Sequence, residues 1–338
     1  MKRREFLESG LISLAGLFAF GAADSFLSRR TRRVLSRKYA NPFRSGGKPI
    51  LIVVRGRNAP AMVKAGMDLL LETADRPLPA RNVFIKPNAT WPEPYPVTTH
   101  VEILGEIVRF FYAPGERTIS VGDNPSLRGI AVQTLFRRLG YMKLRDTWDV
   151  DILPRNPSHG SSFREVENSA WKSNPAIMIN KSILDADLVV NTAIPKRHHE
   201  ADFTCALKNC FGAVYDPFRT LAHLRMIRDL EHGEEFFDRT IAECADAARP
   251  LVNVVDARAL LTVSGPGFYS GGVVKENVNE IILSGDMVLT DAYCGELMRR
   301  HDSSFQPENR LKRLLLYAEA LGLGTSDLSS AEIIEIIL

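Results

Sequence analysis

The sequence predicts an α/β fold: a mainly parallel sheet with helices on both faces and an irregular insertion around residues 141–176. Three observations predict it. Short apolar runs read as buried strands, among them Ile50–Val54, Ile119–Val121, Asp187–Asn191 and Leu251–Val255. Stretches of helical periodicity alternate with them, beginning with Ala59–Ala74. Polar residues cluster just beyond the strand ends: Lys86 and Asn88, then Asp123 and Asn124, then Lys196 with His198 and His199. With right-handed crossovers those ends fall on one edge, the edge where open α/β sheets bind ligands.

The elements follow in order. Val83–Ile85 is a strand, and the proline-rich loop Ala89–Thr98 with Trp91 forms a wall beyond it. Thr98 or Thr99 caps a helix to Tyr112, and Ser126 caps another through Leu139. Tyr141–Trp148 and Val150–Leu153 read as strands of the insertion, followed by a loop at Asn156–Gly160 that carries His159. Ala176–Ile179 is a further strand. Thr204–Phe211 has the pattern of a short helix stopped by Gly212. A helix with His223 and a second at Gly233–Ala248 come next. The glycine-rich loop Gly265–Gly272 leads into a strand pattern at Asn277–Leu283, so it reads as a lid or crossover and not as a phosphate cradle. Asp286 is placed to cap a helix at Val288–Arg299 that carries Asp291, and the tail reads as two helices, Pro307–Leu321 and Ser330–Leu338.

The 338 residues suffice for one large domain or two modest ones, and 45% hydrophobic with 25% charged content is ordinary for a globular chain. Charge is unevenly spread. Residues 1–48 hold eleven Lys/Arg against three Asp/Glu, a net +8, while the other 290 hold 32 against 37, a net −5. A weakly acidic body argues against nucleic acid as a partner. The four cysteines, Cys205, Cys210, Cys244 and Cys294, are too few and scattered for a disulfide framework, and no C-x-x-C pair occurs. On a helix Cys205 and Cys210 face different ways, so they do not chelate one cluster together.

At the amino terminus Arg3-Arg4, followed by Phe6-Leu7 and the apolar run Gly10–Ala23, resembles a twin-arginine export signal. The expected organisation is a signal segment at 1–23, a basic flexible leader at 24–48 ending in the linker Ser45-Gly46-Gly47, and one α/β domain at 49–338, with a split into sub-lobes near 141–176 as the variant. The expected location is periplasmic or otherwise extracytoplasmic. The expected partners are the export machinery and a small anionic ligand, with membrane contact only through the leader.

On a Thr204–Phe211 helix, Ala206, Leu207, Cys210 and Phe211 share the core face, leaving Lys208 and Asn209 on the other. The pattern Pro195-Lys196, His198-His199, then Leu207-Lys208-Asn209-Cys210-Phe211-Gly212 resembles the signature of the family called domain of unknown function 362. Ile85-Lys86-Pro87-Asn88, Val255-Asp256, Gly265-Pro266-Gly267, Gly285-Asp286 and Asp291-Ala292 resemble it too, so the likeness spans roughly Ile50 to Arg300. Relatives are sometimes fused to iron–sulfur ferredoxin modules. The resemblance therefore makes a metal or an iron–sulfur cluster a candidate cofactor.

Lysines and imidazoles together suit a phosphate or carboxylate, whereas neutral imidazole with carboxylate suits a metal. The candidate catalytic residues are His199, Lys208 and Asp123. Lys86, Asn88, Lys196, Asn209 and Asp256 are the candidate ligand-binding residues. His198, His199 and Cys205 are the candidate metal ligands, although no H-x₃₋₅-H or HExxH spacing occurs. Neighbours on an extended backbone point oppositely, so His199 is expected to face the site and His198 to lie behind it or at the surface. The expected function is that of an exported α/β protein, an enzyme with a strand-end site for an anionic ligand or a metal or redox cofactor. The alternative is a non-catalytic periplasmic binding or cofactor-maturation protein.

Overall fold

The apolar runs assemble into one large sheet. A computed structural model describes residues 34–35, 40–124, 131–153, 160–228 and 232–338. The twin-arginine-like segment, Ser126 and the Asn156–His159 loop lie outside those described residues. In chain order the parts used below are β1 (Lys48–Arg55), α1 (Ala59–Glu72), β2 (Asn82–Lys86), α2 (Val101–Phe111), β3 (Thr118–Gly122), β4 (Asp151–Leu153) and β5 (Leu188–Ala193). Then come β6 (Lys196–His198), β7 (Asp202–Thr204), α3 (Ala206–Asn209), α4 (Asp216–Arg228) and α5 (Gly233–Ala248). The chain closes with β8 (Val252–Ala257), β9 (Leu260–Thr262), β10 (Val273–Lys275), β11 (Glu280–Ser284), α6 (Met287–His301), α7 (Arg310–Ala320) and β12 (Glu332–Ile337).

The main sheet runs β12-β1-β11-β8-β5-β2-β3-β4, with Arg44–Ser45 paired beside β1. Every neighbouring pair on that path is parallel except the two made by β11. Both faces are covered, which is why β5 and β8 are buried along their whole length. On one face α1 and α2 pack Met62, Leu70, Ile103 and Ile107 onto the strands. On the other, α5, α6 and α7 bury Phe237, Ile241, Leu297 and Leu314. A second, four-stranded sheet of order β7-β6-β9-β10 stands beside the carboxyl ends of the main strands.

Several expectations are corrected. Tyr141–Trp148 is not a strand: Gly140 turns the chain at φ +79°, and a helix follows at Lys143–Thr147. Tyr141 instead buries its ring against Phe136 and donates from its hydroxyl to the Thr99 carbonyl at 2.6 Å. The insertion is more regular than expected. β4 joins the main sheet, and Phe163–Glu167 pairs with Ile177–Asn180 in a small sheet with Val34–Leu35. Thr204–Phe211 is not one helix, because Thr204 ends β7 and the α-turns of α3 pass into a 3₁₀ turn at Cys210–Ala213.

The carboxyl-terminal segment is a strand, β12, and not a helix. Its isoleucines are β-branched and suit a pleated edge beside β1. The leader also ends earlier than expected. Phe43 is fully buried, and Gly46 and Gly47 turn a hairpin at φ +55° and +83° instead of forming a linker. The glycine-rich loop is the connection of the β9–β10 hairpin.

Candidate functional site

Lys86 is the last residue of β2, and Asp123 follows the last residue of β3. Parallel pairing, with Ile85 beside Val121, brings the two strand ends together. Their side chains are 2% and 1% exposed, and Lys86 Nζ lies 2.7 Å from Asp123 Oδ1. The backbone N–H groups of Ala89 and Asn124 donate to the same carboxylate, each at 2.9 Å. Lys86 donates also to the Pro87 carbonyl at 3.2 Å and to Asn209 Oδ1 at 3.5 Å. A buried ion pair persists only when its remaining valences are met in this way. Gly212 closes over it: a Cβ there would stand 2.3 Å from Asp123 Oδ1 and 2.7 Å from Lys86 Nζ.

Asn209 anchors a chain of amides across the sheet. Its Nδ2 donates to Asn191 Oδ1 at 2.7 Å, Asn191 Nδ2 donates to Asn253 Oδ1 at 3.0 Å, and Asn253 Nδ2 reaches the Ser284 carbonyl at 3.2 Å. Neither Asn191 nor Asn253 was expected in the site. The signal was present, since each is the lone amide of a strand buried along its whole length.

Lys196, at the start of β6, is 1% exposed. It donates to the Val97 carbonyl at 2.5 Å and to Asn88 Oδ1 at 3.3 Å. Burial and the charge of Lys208 lower its pKa to about 7, against an opposing pull from Asp123 and Glu93. Glu93 lies on the loop expected to wall the site. It accepts from Phe268 N at 2.8 Å and so ties that wall to the glycine-rich loop.

His198 ends β6, where the chain turns. The turn supplies two donors, Glu200 N at 3.1 Å and Ala201 N at 3.3 Å, both to His198 Nδ1. Its Nε2 faces Lys208 Nζ at 3.0 Å. Burial, then the charge of Lys208, holds the His198 pKa well below its ordinary value, so the ring is neutral. Burial lowers Lys208 to about 8, with Arg310 and Arg219 pushing the same way and Glu200 opposing. Glu200 Oε2 is 2.9 Å from His223 Nδ1. Burial would raise that carboxyl, yet His223, His199 and Lys208 together take it down to about 2.

The expected order of the two histidines is reversed. His198 is the buried one, while His199 is exposed and sets Nδ1 against the Gly265 carbonyl at 2.7 Å. Alternation fails because β6 ends at His198, and the two rings stack at 5.3 Å. Asp256 is not gathered with the lysines: its carboxylate holds Arg258 at 2.9 Å. Asp291 accepts from Ala206 N at 2.7 Å and Leu207 N at 3.2 Å and so caps α3. Burial lifts its pKa to about 7 in spite of those bonds.

A cavity of about 600 Å³ opens against the two imidazoles, and Arg197, Asp202, Arg310 and Arg313 contribute to its lining. The donor set does not fit a metal or cluster. Both His198 nitrogens are engaged, and Cys205 is fully buried with burial first among the causes that raise its thiol well above the ordinary range. Cys210 Sγ packs on Met287 Sδ at 3.9 Å. Among the described residues no three His, Cys, Asp or Glu converge on one point.

A doubly covered α/β sheet with a lysine-rich, carboxylate-paired site at its carboxyl edge is the class that the fold and site define. The chain belongs to the family described as a domain of unknown function, DUF362, whose profile matches residues 83–296. It is 25% identical over 197 residues to a thylakoid-associated protein of Synechocystis sp., a match covering 56% of this chain. The chain spans 55% of that relative's length. Among solved structures it resembles the lactate racemase apoprotein from Thermoanaerobacterium thermosaccharolyticum, with a TM-score of 0.42, 15% identity, and coverage of 72% of this chain and 57% of that one. A Thermotoga maritima protein gives a TM-score of 0.42 at 10% identity, covering 78% and 59% of the two chains.

Proposed function

We propose that this chain binds a small anionic ligand at the carboxyl edge of its sheet and takes a proton from it or its surroundings, with Lys208 as the base. The contact between His198 and Lys208 carries the reading. Two backbone N–H groups point at His198 Nδ1, which therefore holds a lone pair and no proton. The proton of the neutral ring then resides on Nε2, facing Lys208 Nζ. A hydrogen bond forms there only if Nζ offers a lone pair, which an ammonium lacks. The arrangement thus favours a neutral Lys208 amine.

Such an amine is a base poised near neutrality, the range in which general bases work best. Lys196 provides a second amine of lowered pKa, one that feels the charge of Lys208. A bound anion would favour the protonated form of both. The Lys86–Asp123 pair, closed on itself, holds the strand ends and orients Asn209. Its self-sufficiency favours the second reading, a binding protein without chemistry. We also assign export to the Arg3-Arg4 segment, on the strength of its motif.

Calorimetry separates the two readings. Acetate or inorganic phosphate would be titrated into the full chain at pH 8.5, in two buffers of different ionisation enthalpy. A Lys208 base predicts net proton uptake on binding, reduced in Lys208→Met to what Lys196 contributes. Binding with no proton linkage would leave only the second reading.

A further inference from the structure

Next to the Lys86–Asp123 pair the fold buries two N–H donors that, among the described residues, have nothing to donate to. Asn124 is 1% exposed and Arg219 is 3% exposed. Asn124 N donates to Asp123 Oδ1 at 2.9 Å and to the Gly212 carbonyl at 3.1 Å, and the Asn124 carbonyl accepts from Arg219 Nη1. The amide orientation is fixed by its neighbour. Asn180 Oδ1 accepts from Ser182 N at 2.9 Å, so Asn180 turns its Nδ2 to Asn124 Oδ1 at 3.5 Å. Among the described residues Asn124 Nδ2 is left buried without a partner. Arg219 donates from Nη2 to Asp216 Oδ1 at 3.0 Å, and its Nε is likewise buried without a partner among the described residues.

We propose that Asn124 Nδ2 and Arg219 Nε form a subsite for a compact oxyanion, the carboxylate or phosphate group of the ligand. Leaving a buried donor unmade is costly, and two on residues joined by a hydrogen bond ask for one shared acceptor. Both unpaired groups are donors only, so the occupant is an acceptor. One belongs to a guanidinium, whose planar edge matches carboxylate and phosphate oxygens. The local acids are engaged, Asp123 with Lys86 and Asp216 with Arg219, so no carboxylate of these two answers the donors. Arg219 lies close enough for its charge to act on Lys208. The inference rests on the strand-edge reading above and says where the anionic group of its ligand sits.

The test uses the purified full chain with inorganic phosphate and, separately, acetate, read as thermal stabilisation against chloride at equal ionic strength. Either oxyanion should stabilise the wild type saturably, and the stronger of the two identifies the group. Asn124→Asp, which keeps size and replaces the donor by an acceptor oxygen, should abolish the response. Arg219→Lys, which retains a cation and lacks Nε, should weaken binding by about tenfold or more, the worth of a charge-assisted bond. It also decides the matter if Asn124→Asp fails to fold. Lys208→Met should still respond, within about tenfold of wild type. No oxyanion response in the wild type, as for donors met by water alone, overturns the subsite. Unchanged responses in Asn124→Asp and Arg219→Lys also overturn it. If Lys208→Met is then silent, the anion sits at Lys208 and the strand-edge reading survives without the subsite.

Discussion

Lys208 Nζ stands 3.0 Å from His198 Nε2, on an imidazole whose other nitrogen accepts two backbone N–H groups. The turn after β6 therefore favours the Nε2–H tautomer of His198, the form whose hydrogen bond to Lys208 asks for a neutral amine. Three residues of local backbone thus act on a side chain ten positions on.

The Lys86–Asp123 pair should behave as one unit. Lys86→Met or Asp123→Asn alone leaves a buried, uncompensated partner and should cost about 3–5 kcal/mol. The double variant should lose less than the sum of the singles. A cycle by urea denaturation measures this, and strict additivity would show that the pair is not coupled.

Lys196 makes stability depend on pH in a defined direction. Its pKa is 10.5 ordinarily and about 7 in the folded chain. Between those values the unfolded chain binds more protons, so stability rises with pH. The penalty is full below about pH 7 and fades towards 10.5. Relative to wild type, Lys196→Met should therefore look best near pH 6 and lose a few kcal/mol of that standing, roughly, by pH 9.5. A stability difference that stays flat across that range would contradict the shift.

Export is tested by Arg3→Lys with Arg4→Lys. The export receptor reads the paired guanidinium groups, so the double variant should remain in the cytoplasm. Fractionation with equal extracytoplasmic yield for both proteins would remove the assignment.

The sheet was legible because its strands are continuous apolar runs buried on both faces, and the strand-end rule then placed Lys86, Asp123 and Lys196 on one edge. The helical reading of Ser330–Leu338 failed because Glu332–Ile337 has isoleucines at spacings that fit either period, and only pairing with β1 decides. His198 and His199 were exchanged because alternation holds only while a strand continues, and β6 stops between them. Asp256 lies at the carboxyl end of β8, yet Arg258 two residues on claims its carboxylate. Asn124 and Arg219 could not be matched in advance, since their contact joins positions 95 residues apart.

The most direct test of the account is the ionisation of Lys208 itself, followed by NMR of its Cε and Nζ in the full chain, with the resonance assigned by its loss in Lys208→Met. The account predicts titration near pH 8, with a neutral amine above it. Titration at the ordinary lysine value of 10.5 would contradict it, and the base at the centre of the proposed function would be lost.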